Sequence, residues 1–201
     1  MAKDTKQKII KSTLTLYLQG GLEAVSMRKV ADHAGLSTMA AYRHFKNKDE
    51  LLNHVIMEGF RSFQSYFVKA RTIPDPIASL KMCMHLYAEF AREQPEFYEM
   101  MFMARLRSND EELMQKHQQQ VQMALLFLTE RVKACVKGGL IKEVEPKSSA
   151  LHLWSLCHGL VSLQFLGNLQ AQENFADFYQ HSIEQFFMEI DINPRAVDSY
   201  Q

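Results

Sequence analysis

The stretch SMRKVADHAGLSTMAAYRHF, residues 26–45 of a 201-residue chain, decides the fold of the N-terminal region. Gly35 separates two short segments with helical character, over residues 27–34 and 38–44. Ser26 stands at the start of the first segment, and Ser37 or Thr38 stands at the start of the second. Their hydroxyl side chains are suited to N-capping. Because neither segment can bury a core alone, and because such pairs commonly place their second helix in the DNA major groove, the stretch predicts a helix-turn-helix unit.

The two faces of this unit differ in chemistry. The side chains that can pack on a preceding helix are Val30, Leu36, Ala41 and Phe45. Hydroxyls, guanidinium groups and amphipathic rings face the other way, and such groups bond phosphate oxygens and base edges. We predict that the DNA-binding residues are Arg28, Ser37, Thr38, Met39, Ala40, Tyr42, Arg43, His44, Lys46 and Lys48. The alternative is that Tyr42 and His44 pack in the core and that the lysines are merely solvated.

The charge distribution along the chain supports the prediction of DNA binding. Residues 1–50 hold nine Lys or Arg against five Asp or Glu, whereas residues 51–201 hold fourteen against eighteen, so the formal net charge of zero hides a basic N-terminal end. One small basic region on an acidic protein is expected where that region binds a polyanion. Chance clustering of solvated charges is the alternative.

Outward from this stretch, the sequence is all-α. Helical spacing recurs from end to end, and Pro and Gly together number only thirteen. The predicted helices cover about 5–18, 27–34, 38–44, 48–69, 76–93, 95–106, 110–137, 146–168 and 174–190. Asn109 with Glu112 resembles a capping box for the longest of them. We expect a helix-turn-helix domain over residues 1–50, a connecting helix over 48–70, and a larger helical domain over 51–201 that binds a ligand and dimerises.

The composition limits the location of the chain and the kinds of site it can carry. The longest apolar run has six residues, 123–128, which is too short for a membrane span, and no apolar signal segment follows the charged N-terminus. We therefore expect a cytoplasmic protein. The three cysteines, Cys83, Cys135 and Cys157, lie in apolar stretches without CxxC spacing, so we expect neither a disulfide framework nor a metal site.

The segment from Tyr17 to Leu52 resembles the N-terminal signature of the TetR-type transcriptional regulators. The matching residues are Tyr17, Gly21, Val30-Ala31, Ala34-Gly35-Leu36-Ser37, Tyr42-Arg43-His44-Phe45 and Lys48-Asp49-Glu50-Leu51-Leu52. Ala40 and Ala41 depart from the family pattern, which more often has Thr or Ser and a larger aliphatic residue there. The resemblance implies a three-helix DNA-binding domain, a helical ligand-binding and dimerisation domain, and repression that a small molecule releases. It also implies that Thr38, Met39, Tyr42 and His44 face the groove and that Lys48 reaches a phosphate.

The C-terminal region resembles one branch of that family more weakly, through Trp154, His158 and Gly159 and through the segment from Gln94 to Phe102. Eight of twelve methionines fall between residues 57 and 123, and methionine lines adaptable binding surfaces, so a pocket for an apolar or aromatic effector is predicted. The predicted ligand-binding residues are Met100, Met101, Phe102, His117, Phe127, Trp154 and His158. Core filling by the methionines, and hydrogen-bonded core histidines, remain the alternatives.

The last two predicted helices, 146–168 and 174–190, are apolar on more than one face, and the second is rich in aromatic residues. We therefore predict a two-fold homodimer through these helices. The main alternatives to a regulator are an enzyme and a helical carrier of lipids or drugs. The sequence has no nucleophile elbow, phosphate-binding glycine loop or HExxH motif, so we predict no enzymatic activity and no cofactor. A carrier would leave the basic helix-turn-helix unexplained. We predict a repressor that binds an operator, which is expected to be palindromic.

Overall fold

The computed structural model describes residues 2–104, 111–142, 144–167 and 174–189. Within these residues the chain forms ten α-helices and one π-helical turn, Glu99–Met103. The α-helices are α1 Ala2–Ala24, α2 Met27–His33, α3 Thr38–Tyr42, α4 Lys48–Tyr66, α5 Val68–Arg71, α6 Pro76–Glu93, α7 Pro95–Tyr98, α8 Glu111–Lys137, α9 Pro146–Phe165 and α10 Phe175–Glu189. The predicted capping box at Asn109 and Glu112 falls outside the residues whose side chains are described.

The connection between α2 and α3 forms as the sequence predicts. Gly35 has φ of 67°, in the left-handed region that favours glycine, and the backbone N–H of Leu36 donates to the carbonyl of Ala31 at 2.9 Å. Ser37 is the N-cap of α3, where its hydroxyl accepts a hydrogen bond from the N–H of Ala40 at 3.1 Å. The turn therefore fixes both the start of α3 and the direction in which its side chains point.

Two predicted helix ends differ from the structure. The first helix extends past residue 18 to Ala24, but its backbone is not helical at Gly20 and Gly21, where φ is −164° and 64°. The glycine pair thus interrupts the helix as expected, and one further turn follows it. The helix that begins at Lys48 ends at Tyr66 rather than near residue 69, because the N–H of Phe67 bonds to the carbonyl three residues back, and α5 starts anew.

The prediction of an α-helix over residues 95–106 is wrong for residues 99–103, and residues 105 and 106 lie outside the described part of the chain. After α7 the chain widens into the π-helical turn, in which the N–H of Ala104 donates to the carbonyl of Glu99 at 2.9 Å, five residues back. The wider turn lets Met100 and Met101, which are consecutive, both be buried. The 3.6-residue periodicity of an α-helix does not predict this π-helical turn, which accompanies the packing of both methionines.

The chain divides into two compact units, and each is described by itself. Unit 1 comprises Met1–Phe63 and Glu93–His117, and unit 2 comprises Gln64–Arg92 and Gln118–Gln201. This division concerns packing, so the predicted functional boundary at residue 50 stays a prediction. The side chains completely or almost completely buried in unit 1 include Ile9, Val30, Phe45, Leu51, Ile56, Tyr98 and Met100. They come from α1, α2, α4, α7 and the π-helical turn, except Phe45, which lies between α3 and α4.

The core of unit 2 lies among α6, α8, α9 and α10. Its fully buried side chains include Leu80, Cys83, Phe90, Leu153, Cys157 and Phe187. Two hydrogen bonds fix α6 within this core, since the Tyr179 hydroxyl donates to the carbonyl of Met84 at 2.8 Å and the Ser79 hydroxyl donates to that of Ala70 at 2.7 Å. Burial raises the pKa of all three cysteine thiols to about 12, so these thiols are inert hydrophobes in the core.

Part of the aromatic surface of α10 is covered within its own unit. Tyr179, Phe186 and Phe187 are buried within unit 2. The Phe186 ring packs edge-on against that of His152 at 5.4 Å, and the ammonium of Lys81 lies 5.4 Å from the Phe187 ring centroid. These three aromatic side chains belong to the core of their own unit, whereas Phe175 and Phe178 are half-buried, so a dimer through α9 and α10 stays a prediction.

Among the described residues, no helix is both long enough and apolar enough to span a bilayer. The same part of the chain contains no cluster of three or more histidine, cysteine or acidic side chains that could hold a metal ion.

Candidate functional site

The outer surface of α3 carries large side chains that the core does not cover. Met39 is 67% exposed and Tyr42 is 49% exposed, and Arg43 at the C-terminal end of the helix is exposed too. Ser37 is exposed, whereas Thr38, Ala40 and His44 are half-buried. Tyr42 is therefore not a core residue. An exposed methionine and tyrosine at neighbouring positions of a five-residue helix provide a surface suited to contact with another molecule.

The opposite side of α3 is anchored in unit 1. Ala41 is fully buried, and Phe45, just after the helix, is 2% exposed. The Phe45 ring lies 5.5 Å from the His54 ring of α4 and 5.5 Å from the ammonium of Lys6 in α1. Burial, followed by the positive charges of Lys6 and Arg61, lowers the pKa of His54. Phe45 thus anchors the C-terminal end of α3 to α4 and α1, which fixes the orientation of the helix.

Basic residues flank α3, but they are not equivalent. Arg28 on α2 and Lys46 after α3 are exposed. Lys48, by contrast, is half-buried, and its ammonium donates a hydrogen bond to the carbonyl of Leu22. That bond ties the start of α4 to the end of α1 and leaves two of the three N–H groups for another acceptor. Lys48 thus has a structural contact that the sequence analysis did not anticipate.

Capping at the start of α4 fixes the backbone beside these cations. The Asn47 side chain accepts a hydrogen bond from the N–H of Glu50 at 2.8 Å, and the Glu50 carboxylate accepts one from the backbone N–H of Lys46 at 2.5 Å. The Lys46 side chain is left exposed by this arrangement. Its ammonium is therefore more accessible than that of Lys48.

Four of the predicted ligand-binding residues lie in unit 1, where three of them form one aromatic and thioether cluster. Phe102 packs edge-on against Phe60 at 6.0 Å, and the His117 ring packs on the same Phe60 ring at 5.1 Å. His117 Nε2 lies 3.3 Å from the carbonyl oxygen of Met101. Met100 and Met101 are buried, which agrees with the core-filling alternative for these two residues.

The other three predicted ligand-binding residues lie in unit 2. Trp154 and His158 lie one helical turn apart on α9, and both are half-buried. His158 Nδ1 lies 2.8 Å from the hydroxyl of the buried Tyr87, and burial lowers the pKa of His158. His158 is thus hydrogen-bonded, and its surroundings favour the neutral form. Both findings agree with the alternative that His158 is a hydrogen-bonded core histidine. Phe127 is half-buried on α8.

Two arginines that the sequence analysis did not single out surround Phe127. The guanidinium carbon of Arg71 lies 5.2 Å from the Phe127 ring centroid, and that of Arg131 lies 5.5 Å from it. A signal for Arg131 exists in the sequence, because it stands four residues after Phe127 and four before the buried Cys135, on a face of α8 that faces the core. The position of Arg71 has no comparable signal, because it depends on the break after α4.

Comparison with known families identifies the chain. A family model described as "Tetracyclin repressor-like, C-terminal domain" matches residues 80–186, which is more than half of the chain. A second model, described as "Bacterial regulatory proteins, tetR family", matches residues 9–55. The chain belongs to the TetR family. The predicted family and the predicted fold class, a helix-turn-helix domain followed by a larger helical domain, are confirmed, whereas the likeness to a Trp-His-Gly branch stays a prediction.

Among curated relatives of this TetR-family chain is an HTH-type transcriptional regulator of Staphylococcus aureus strain USA300. The two are 33% identical over 66 residues, which are 33% of this chain and 36% of the relative. The match thus spans about a third of the length of that relative.

Solved structures extend the likeness of fold over nearly the whole chain. The TetR family transcriptional regulator PfmR of Thermus thermophilus superposes with a TM-score of 0.75 at 19% identity, over 92% of this chain and 95% of PfmR. The transcriptional regulator FadR of Bacillus subtilis, solved in complex with stearoyl-CoA, gives a TM-score of 0.74 at 16% identity, over 90% of this chain and 96% of FadR. At such identities the likeness concerns the fold.

Proposed function

We propose that this TetR-family protein is a non-enzymatic transcriptional repressor that binds operator DNA through α3. The observation that carries the proposal is the division of α3 into a buried face and an exposed face, with Ala41 in the core and Met39 and Tyr42 on the surface. Thr38, Ala40, Arg43 and His44 complete the proposed groove-facing set, and Arg28, Ser37, Lys46 and Lys48 are proposed to bond phosphates. The basic N-terminal end supplies the electrostatic attraction.

Salt dependence of operator binding tests this proposal. Each phosphate contact contributes about 0.9 to the slope of log affinity against log salt concentration. We expect Lys46→Ala to lower the slope by about one unit and to weaken binding to all sequences alike. Lys133→Ala is the matched control, because Lys133 is an exposed lysine of unit 2 that pairs with Glu130. A gel-shift series in which both variants behave like the wild type would remove Lys46 from the contact set.

Lys48→Ala is informative beside Lys46→Ala because Lys48 also bonds the carbonyl of Leu22. We expect Lys48→Ala to reduce both the salt slope and the thermal stability, whereas Lys46→Ala reduces only the slope. Equal stability of the two variants, measured by circular dichroism, would show that the bond to Leu22 contributes nothing to folding.

We further propose that an effector with an apolar or aromatic part releases the protein from DNA. The Phe102 and His117 rings packed on Phe60 in unit 1, and the half-buried Trp154 and Phe127 in unit 2, support such a ligand. FadR of Bacillus subtilis was solved with stearoyl-CoA, so an acyl thioester is a reasonable first probe. If effector binding and operator binding oppose each other, stearoyl-CoA or free stearate added to the operator complex should lower the operator affinity. The size of the decrease measures the coupling free energy.

The proposed homodimer uses α9 and α10, and exposed leucines of α9 supply apolar surface for it. Leu151 and Leu163 on α9, and Leu166 just after it, are exposed large apolar side chains, and a Cβ at Gly159 would meet nothing within 4 Å. Symmetric pairing of this face would cover the three leucines. A two-fold dimer would place two copies of α3 for a palindromic operator, with half-sites about one DNA turn apart.

Sedimentation of charged variants tests the dimer. Leu163→Glu is expected to give monomers that remain helical and lose tight operator binding. Leu126→Glu is the control, since Leu126 is an equally apolar and exposed residue on α8 of the same unit. Dimers of both variants would place the interface elsewhere. An enzyme or a carrier would show no operator binding in any of these experiments.

A further inference from the structure

The arginine pair around Phe127 belongs to a single unit and lies close together in space. Both guanidinium groups stand over the same ring, so their carbon atoms are at most about 11 Å apart, which is the sum of the two distances to the centroid. Arg71 ends α5 and Arg131 lies on α8. Both positive charges also act on the buried thiol of Cys83, where they oppose the increase in pKa that burial causes. Both cations therefore lie near the same ring and act on the same thiol of unit 2.

The hydrogen bonding of Arg131 is incomplete among the described residues. Its Nε is buried and has no partner among the described groups. Neither Arg71 nor Arg131 forms an ion pair with any residue that the structure describes. Ion pairs that are present among those residues include Lys8 with Asp4 and Lys133 with Glu130. A buried N–H group without an acceptor is costly, and native proteins generally provide one. The contact with Phe127 compensates part of the charge but offers no acceptor atom for Nε–H.

The neighbouring charges leave this region positive. Asp75 is the carboxylate that acts, together with Arg131, on the thiol of Cys135. One of its oxygens already accepts hydrogen bonds from the N–H groups of Ile77 and Ala78, at 2.7 and 3.0 Å, where it caps α6. The carboxylate that acts on the same thiol as Arg131 is thus already engaged as a cap of α6. A guanidinium group presents its N–H donors in a planar fork, which matches two oxygens of a carboxylate or phosphate.

We propose that Arg71, Arg131 and Phe127 form a binding site for an anionic oxygen group, a phosphate or a carboxylate, carried by the effector. The guanidinium groups of Arg131, whose Nε–H lacks an acceptor among the described residues, and of the exposed Arg71 supply the positive charges and N–H donors, and both contact the Phe127 ring. The site deepens the proposed function and rests on it, since it makes the effector an amphipathic molecule with an anionic group as well as an apolar part. The sequence analysis predicted neither arginine as a ligand-binding residue.

Arginine side-chain NMR tests the site directly with small anions as probes. The Nε–Hε signal of Arg131 is identified by its disappearance in Arg131→Lys, which keeps the charge and removes Nε. Inorganic phosphate and sodium acetate are then titrated separately into the full chain at constant ionic strength, with chloride as the balancing ion. We expect a saturable shift of this signal with phosphate, with acetate or with both, and the responding anion identifies the chemistry. The absence of saturation with both anions would overturn the site and leave the arginines as packing partners of Phe127.

Two variants separate a specific site from general positive charge. Arg71→Gln changes an exposed residue and should therefore fold, and we expect it to weaken anion binding about tenfold, as loss of one charge-assisted contact predicts. Lys81→Gln is the control, because it removes a cation from a different aromatic ring, that of Phe187, in the same unit. Equal weakening in both variants would overturn the proposal in favour of diffuse electrostatics.

The failure of this site and the failure of the proposed function give different results. Operator binding, measured by gel shift without added phosphate or carboxylate, depends on α3 and not on these arginines. Operator binding together with unresponsive arginines would refute only the anion site. A responsive Arg131 signal in a protein that binds no DNA would refute only the repressor function. Stearoyl-CoA and stearate then identify the source of the anion, because Arg71→Gln should weaken the one whose anionic group occupies the site.

Discussion

The proposed recognition helix α3 and the helix α10 both carry aromatic side chains, yet they place them in opposite environments. Tyr42 of α3 is half exposed, whereas Tyr179 and Phe186 of α10 are buried in unit 2. In α3 the neighbouring turn and cap fix the direction of each residue, so its exposed face follows from local sequence. In α10 exposure depends on α6 and α9, which are distant in sequence. Local chemistry thus predicts exposure only where local structure also fixes orientation.

The largest effect should come from the buried side of this comparison. Phe186→Ala removes a ring that is 7% exposed and packs on His152 and Phe187, so the free energy of unfolding should fall by about 3–5 kcal/mol. Met188→Ala, at a 74% exposed position of the same helix, should change it by less than about 0.5 kcal/mol. Chemical denaturation measures both. Similar values for the two variants would mean that Phe186 is not in the core.

The exposed side should show the reverse pattern. We expect Tyr42→Ala to leave the free energy of unfolding within about 0.5 kcal/mol and to weaken operator binding by about 1–3 kcal/mol, because its ring is exposed and is proposed to contact DNA. Phe45→Ala provides the contrast, since its ring is buried and its loss should destabilise unit 1. A Tyr42→Ala variant that unfolds easily would contradict the exposed position of the ring.

The turn that orients α3 can be tested separately. Gly35 has φ of 67° and a Cβ there would meet nothing within 4 Å, so Gly35→Ala adds backbone strain without a steric clash. The expected loss of unfolding free energy is about 1–2 kcal/mol. Gly159→Ala is the control, because a Cβ there is equally free of contacts and the residue lies inside α9, where alanine favours the helix. Greater stability of Gly35→Ala would contradict the strain argument.

These contrasts explain how much of the structure the sequence could predict. Caps at Ser37 and Asn47, the turn at Gly35 and the proline that begins α6 act over a few residues, so most helices and the helix-turn-helix were predicted correctly. The π-helical turn, the break at Phe67 and the burial of α10 depend on packing between distant segments. Likewise, the residues around Phe127 come together because α5 starts after that break. Periodicity within one helix contains no information about such neighbours.

The smallest predicted effect concerns the pH dependence of unit 2. Burial lowers the pKa of His158 below 6.5, so the unfolded chain binds its proton more readily than the folded one. The contribution of His158 to stability is therefore complete above pH 6.5 and is lost as the pH falls through the lower folded-state value. We expect His158→Gln to reduce the decrease in melting temperature between pH 7 and pH 5.5, relative to the wild type. His54, whose pKa is also lowered, accounts for part of the remaining slope. An unchanged slope would show that His158 titrates like a solvated imidazole.

The π-helical turn Glu99–Met103 can also be understood as a one-residue insertion that the chain has accommodated. An α-helix would need one residue fewer to close the same turn, and the additional residue places both Met100 and Met101 in the core. A Cβ at Gly59 would lie 2.5 Å from the Met101 sulfur, so the glycine on α4 and the widened turn are matched in shape. Substitutions at residue 59 and deletions within residues 99–103 should therefore be coupled in evolution, since each alters the space that the other fills.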